Sequence, residues 1–175
     1  MMNALEQMLH RRSIRSFRPE LPPRELIDRI LEAGIYAPSG KNNQSGLIIA
    51  VTNREMRDRL SAMNARFMGR EDGFDPFYGA PAILIVLAKK ASPHRLYDGS
   101  LIMGNLLLAA DAVGLGGCWI HRAKEEFESE EGKAILADLG ITEEYEGIGH
   151  VALGYPDGEY PAAKPRKENF VYYIE

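Results

Sequence analysis

Helix-like and strand-like segments alternate along this sequence, which predicts an α/β or α+β fold. Short unbroken apolar runs of strand length, "GLIIAVTN" (46–53), "PAILIVLAK" (81–89) and "GIGHVALGY" (147–155), read as buried strands. Between them lie longer stretches whose apolar residues recur at three- and four-residue spacing, the mark of helices. No internal repeat appears, and no linker is long enough to divide the 175 residues, so residues 1–175 read as one domain with an arm over about 156–175.

In chain order, residues 3–11 fit a short helix with Leu5, Met8 and Leu9 on one side. "PPRELIDRILEAGIYAPSG" (22–40) is a clearer one. Pro23 suits its first turn, Leu26, Ile27, Ile30, Leu31 and Ile35 repeat at helical spacing, and Pro38, Ser39 and Gly40 stop it. A charged helix is expected from about Arg54 to Arg66, then a loop over 67–80 that could form a small lid. "LYDGSLIMGNLLLAADAVG" (96–114) is apolar on nearly every side, as in a helix at the centre of a fold or in a large interface. "GGCWIH" (116–121) reads as a short strand or turn and "SEEGKAILADLG" (129–140) as a further helix. The C-terminal "PDGEYPAAKPRKENFVYYIE" reads as an extended arm whose aromatic end pairs as a strand, on this or another subunit.

A formal net charge of −4 argues against bulk binding to nucleic acid or an anionic membrane, which needs a broad positive field. The single cysteine, Cys118, excludes an internal disulfide and fits a reducing compartment. The N-terminus lacks the layout of a signal peptide, and the most apolar helix is too short and interrupted to span a bilayer. A cytoplasmic protein is expected.

Against that acidic background, "HRRSIRSFRP" (10–19) gathers Arg11, Arg12, Arg15 and Arg18. Cations are favoured at a helix C-terminus by about 0.3–1 kcal/mol each, which would account for Arg11 and Arg12. Ser13 and Arg15 lie beyond the helix, and an Arg–Ser–Arg constellation offers the forked donors and hydroxyl that suit a phosphate monoester. A second basic group, Lys164, Arg166 and Lys167, sits in the proline-stiffened arm, where it is either a solubilising tail or a second jaw on the same phosphate. In "APSGKNNQ" (37–44), Ser39, Asn42, Asn43 and Gln44 serve either as turn residues or as partners for hydroxyls and heterocycle edges. The glycines of "GLGGCWIH" (114–121) either admit a close neighbour or turn the chain. There is no G-x-G-x-x-G or P-loop, no zinc-like spacing of the four histidines and no G-x-S-x-G elbow. Cys118 sits in an apolar context that leaves a thiol inert, and Asp98 reads as an N-terminal helix charge. With no nucleophile or acid–base pair evident, a cofactor would carry any chemistry.

Taken in order, "RRSIRSF", "APSGKNNQ", "GAPAILIV", "LLLAADAVGLGGCWI", "VALGYP" and "KPRK" resemble the nitroreductase family of FMN-dependent oxidoreductases, over nearly the whole chain. The resemblance implies an α+β fold with a central, mostly antiparallel sheet flanked by helices, in a homodimer that exchanges C-terminal arms and holds FMN at the subunit interface. It implies that Arg11, Ser13, Lys164 and Arg166 grip the FMN phosphate, with Arg12 contributing through its backbone. Arg15 would lie nearer the ribityl chain and the pyrimidine edge. Pro38, Ser39, Gly40, Asn42 and Gln44 would come from the partner, and backbone N–H groups around Ile120, His121 and Arg122 would reach N5 and O4. NADH or NADPH would reduce the flavin and a small nitroaromatic, quinone or similar acceptor would reoxidise it, in ping-pong fashion. The chain departs from many relatives in having Ser45 and Gly46 after the glutamine, and His121 where an acidic residue is familiar. Asn64, with Arg66 or Arg70, is a candidate counterpart of the family's Asn and Lys/Arg on the third helix. Relatives that deiodinate tyrosines, cleave flavin or oxidise rings offer a second reading, and a non-enzymatic flavin-binding or redox-sensing module a third.

Overall fold

The computed structural model describes residues 2–70 and 73–175. The three apolar runs become β1 (Gly46–Val51), β2 (Ala82–Lys89) and β4 (Tyr145–Gly154), and "GGCWI" becomes β3 (Gly116–Ile120). They form one sheet in the order β1-β2-β4-β3 with every neighbouring pair antiparallel, so the class is α+β. An inner strand covered on both faces has no polar side to its pattern. Ala82 to Ala88 of β2 are accordingly all fully buried.

Helices cover both faces. α2 (Arg24–Ile35) and α4 (Arg95–Ala112) supply Ile27, Ile30, Met103 and Leu106 to one core layer. α3 (Arg54–Phe67), α5 (Ala123–Glu128) and α6 (Glu130–Asp138) supply Leu60, Met63, Phe127 and Ile135 to the other. The short α1 (Ala4–His10) lies on the flank of α4, held by an Asn3–Glu6 capping box, with Leu5 and Leu9 more than 70% exposed. No described helix is long and apolar enough to cross a membrane.

Several elements depart from expectation. Pro23 is the residue before α2, its carbonyl accepting the Leu26 and Ile27 N–H groups, rather than part of the first turn. Residues 123–140 hold two helices, because Ser129 adopts an extended conformation that ends α5 and caps α6 through its hydroxyl. "AKEEFE" is too short and polar for periodicity to reveal it. In the loop expected over 67–80, residues 71 and 72 lie outside the described residues. From Asp75 onward the segment is clamped, the Asp75 carboxylate accepting from Arg57, Ser61 and the Phe77 and Gly79 N–H groups. Burial alone would push that carboxyl up, but these four donors hold it below its ordinary value. "FVYYI" forms no strand within its own chain, and Phe170 to Ile174 are 64–102% exposed.

Candidate functional site

The N-terminal cation segment follows β3 and then the chain that leaves β4. Ser13 pairs in parallel with Gly117, the Ile14 N–H donates to the Gly117 carbonyl (3.2 Å), and Phe17 pairs antiparallel with Pro156. Glycines at the start of β3 permit this closeness, since a Cβ at Gly116 would come within 2.6 Å of the Ile14 side chain. Gly114, at φ +82°, makes the turn before it, so both readings of these glycines are realised. Ile14 and Phe17 are buried in the same core layer as Cys118, which also feels Arg11, Ser13 and Arg15. Burial pushes the Cys118 thiol up, opposed by the charges of Arg15 and Arg11 and by a hydrogen bond with Ser13. A protonated, buried thiol has no nucleophilic role.

Arg11 and Arg12 meet different fates. The Arg12 guanidinium caps α1, Nη1 donating to the carbonyls of Leu9 (2.7 Å), His10 (2.8 Å) and Arg11 (2.8 Å), while its backbone N–H donates to the Tyr160 hydroxyl (3.0 Å). The macrodipole reading thus holds for Arg12, and its N–H is already engaged. Arg11 Nη1 is buried without a hydrogen-bond partner, as is Arg12 Nε, but the Arg11 side chain makes no other hydrogen bond among the described residues. A desolvated guanidinium nitrogen with no acceptor is costly and is the kind of group an anion satisfies.

The loop after α2 is strained and held. Lys41, Asn42 and Gln44 have φ of +54°, +55° and +47°, a region L side chains rarely adopt. Asp98, only 2% exposed, anchors the loop by accepting from the Gly40 N–H (2.8 Å) and the Ser45 hydroxyl (2.7 Å). It lies in the first turn of α4, as expected of an N-terminal helix charge, and is also a buried loop anchor, a role its position in sequence does not disclose. The Ser39 hydroxyl accepts from the Gln44 N–H (3.0 Å). Pro38, Ser39 and Gln44 line a cleft of about 350 Å³ with Leu31, Ile35 and Asp98, while Asn42 stays exposed.

At the end of β3, Ile120 is buried and His121 exposed, and Arg122 turns the chain into α5 at φ +82°. The Arg122 guanidinium pairs with Glu125 (2.8 Å). The start of α5 sits directly on β4, where a Cβ at Gly147 would approach the Ala123 carbonyl to 2.1 Å. Of the third-helix candidates, Arg66 is paired with Glu131 (2.6 Å), Arg70 lies over the Phe74 ring, and Asn64 is fully buried beneath His121.

The arm begins close to the first cation cluster. The Tyr160 hydroxyl donates to Asp111 (2.6 Å) and accepts from Arg12, and its ring stacks on His10 at 4.6 Å. Lys164 and Arg166, a few residues on, are exposed. The 38–44 loop is far away. Gly117 lies across from Leu153, and Leu153 from Ala82, at one end of the sheet, whereas Gly46 lies opposite Ala88 near the other end and on the far edge strand. Strand rise and spacing separate the two groups by roughly 25 Å. One chain brings Arg11, Ser13 and Arg15 together but does not bring them to Pro38, Ser39, Gly40, Asn42 and Gln44.

Known proteins share this fold. A nitroreductase with bound FMN from Bacteroides fragilis superposes with a TM-score of 0.87 at 30% identity, over 99% of this chain and 100% of that one. A nitroreductase with bound FMN from Desulfitobacterium hafniense gives 0.88 at 28% identity over all of both chains. An FMN reductase (NADPH) of Bacillus subtilis is 26% identical over 100% of this chain and 74% of its own length. The sequence profile of the "Nitroreductase family" matches residues 8–155, from the first cations to the end of the sheet. By sequence and by fold, this chain belongs to the nitroreductase family.

Proposed function

We propose that this protein, a single domain over residues 1–175, is an FMN-dependent NAD(P)H oxidoreductase acting on a small acceptor such as a nitroaromatic or a quinone. The observation that carries the reading is the buried, unpartnered Arg11 Nη1, with Ser13 and Arg15 nearby around Cys118, a group of donors of the kind that suits a phosphate monoester. Arg11 and Ser13 would hold the phosphate. Lys164 and Arg166 would close on it, since Tyr160 tethers the arm's root beside Arg12. Arg15 would place a cation near the pyrimidine edge, where it favours the reduced, more negative ring. The chemistry that bound FMN supplies is two-electron hydride transfer between a nicotinamide and an acceptor in separate half-reactions. The protein contributes orientation and electrostatics.

A homodimer completes this reading. The 38–44 loop of a second copy would reach the cations that its own chain cannot, and the FMN would lie at the interface. Exposed apolar side chains support it: Leu5, Met8 and Leu9 of α1, Tyr97 and Leu101 of α4, and the tail. A cytoplasmic location suits the lone cysteine.

The test is the absorption spectrum of purified protein, repeated after anaerobic NADH and then NADPH. An oxidised-flavin spectrum that bleaches is expected. Flavin that never bleaches would favour a binding module, and protein that stays colourless after FMN is added back would overturn the phosphate assignment.

A further inference from the structure

Three fully buried polar side chains on three different elements converge beneath the turn after β3. Asn64 of α3, Glu126 of α5 and His150 of β4 are each 0% exposed. The Asn64 amide nitrogen donates both to the His121 carbonyl (2.8 Å) and to the Glu126 carboxylate. Glu126 Oε2 in turn lies 2.9 Å from His150 Nε2, off the line of an ideal hydrogen bond. The Phe77 ring closes the other side of the histidine edge-on at 5.3 Å. Because a carbonyl can only accept, the contact with His121 fixes which end of the Asn64 amide faces it.

Such a group is expensive. Asn64 Oδ1 and His150 Nδ1 have no partner, and an unsatisfied buried polar atom costs about 1–3 kcal/mol. Apolar residues of the same volume would pack this core at lower cost. What the group does hold is one peptide plane. The peptide bond is trans and planar, so its C=O and N–H point in opposite directions. With the His121 carbonyl drawn inward by Asn64, the Arg122 N–H is aimed outward, and it has no partner among the described residues. Arg122 sits at φ +82°, and its own carbonyl accepts from the Glu126 N–H (3.0 Å), so Glu126 braces the turn from both sides.

We propose that Asn64, Glu126 and His150 are positioning residues that lock the 121–122 peptide and aim the Arg122 N–H at the ring edge of a bound flavin, thereby setting how tightly oxidised and reduced flavin are held relative to one another. This rests on the FMN reading above. Asn64, with no surface exposed, acts through the peptide and not by touching the ligand.

A reciprocal exchange tests it. In the double variant N64D/E126Q the new glutamine amide can donate to the new aspartate, restoring the 64–126 hydrogen bond, but nothing donates to the His121 carbonyl. The double variant is expected to melt near wild type, yet to change the ratio of oxidised to reduced FMN dissociation constants threefold or more. In FMN-free protein the ¹⁵N order parameter of the Arg122 amide is expected to fall from the rigid value of about 0.85 to below about 0.6. A double variant that restores the ratio and the order parameter along with the melting temperature would reduce the triad to core packing and overturn the proposal. Asn64→Leu, of similar volume and uncharged, serves if the exchange does not fold, with the same two readouts. Should wild type bind no FMN, the flavin reading falls by itself, and an unchanged Arg122 order parameter would then separately refute the locking.

Discussion

Arg11 and Arg12 are neighbours of the same type, and their surroundings divide them. Both carry one buried guanidinium nitrogen without an acceptor, Arg11 at Nη1 and Arg12 at Nε, but Arg12 is already tied to three carbonyls at the end of α1 through its Nη1. Charge-assisted hydrogen bonds contribute about 1.5–3 kcal/mol, so Arg11→Ala is expected to weaken FMN binding roughly tenfold or more. Arg15→Ala should weaken retention or lower the flavin potential. Arg18, whose side chain is exposed and which engages Tyr155 only through its backbone, should tolerate alanine with less than about a twofold change. Fluorescence titration of apoprotein with FMN checks all three, and equal effects at positions 15 and 18 would remove the role given to Arg15. At this scale the residue pattern alone displayed the candidates, and only the family resemblance gave them different roles, because which arginine finds a carbonyl depends on where the helix ends.

At the scale of elements, the arm is tied at its root by a tyrosine. Burial, then the hydrogen bond to Asp111, push the Tyr160 hydroxyl up from 10.0 to about 12. A folded value above the unfolded one means the folded state binds this proton more tightly. The tether's contribution is therefore whole below pH 10 and lost as pH climbs from 10 towards about 12. Ultraviolet difference titration of wild type against Tyr160→Phe should show the late-titrating tyrosine disappear. At neutral pH the same substitution should speed tryptic cleavage after Arg166 and Lys167, Lys164 being protected by Pro165. Cleavage at the wild-type rate would mean the arm's root is held by something else. The element boundaries in this region were poorly legible. "FVYYI" has strand propensity but no partner strand in its own chain, and propensity alone does not make a ladder.

For the whole molecule, the separation of the two expected binding groups is the decisive feature. Residues 11–15 and 38–44 lie at opposite corners of one sheet, so a site that uses both needs two copies. Deleting residues 161–175 removes Lys164, Arg166 and the exposed aromatic tail while sparing Tyr160. The truncated chain is expected to be monomeric and free of FMN, measured by sedimentation and by absorbance. A stable dimer that keeps its flavin after truncation would rule out the exchanged arm.

What the sequence determined by itself was the set of elements with strong local signatures. "PAILIVLAK", unbroken in its apolar run, read as a buried strand. "PPRELIDRILEAGIYAPSG" carried its own period and stop, and "RRSIRSF" displayed its cations without any structure. These are local properties, set by side-chain period and backbone preference. Tertiary structure decided the rest. It made an Asp98 in the first turn of α4 into the buried anchor of a distant loop, and it turned polar residues embedded in apolar patterns, Asn64 and His150, into one connected group with Glu126. The resemblance singled out Asn64 and the helix start singled out Asp98, but for their partners the sequence offered no more than a polar residue at an inward-facing position. Which partner it meets depends on sheet register and helix docking, and those are settled by burial over the whole chain.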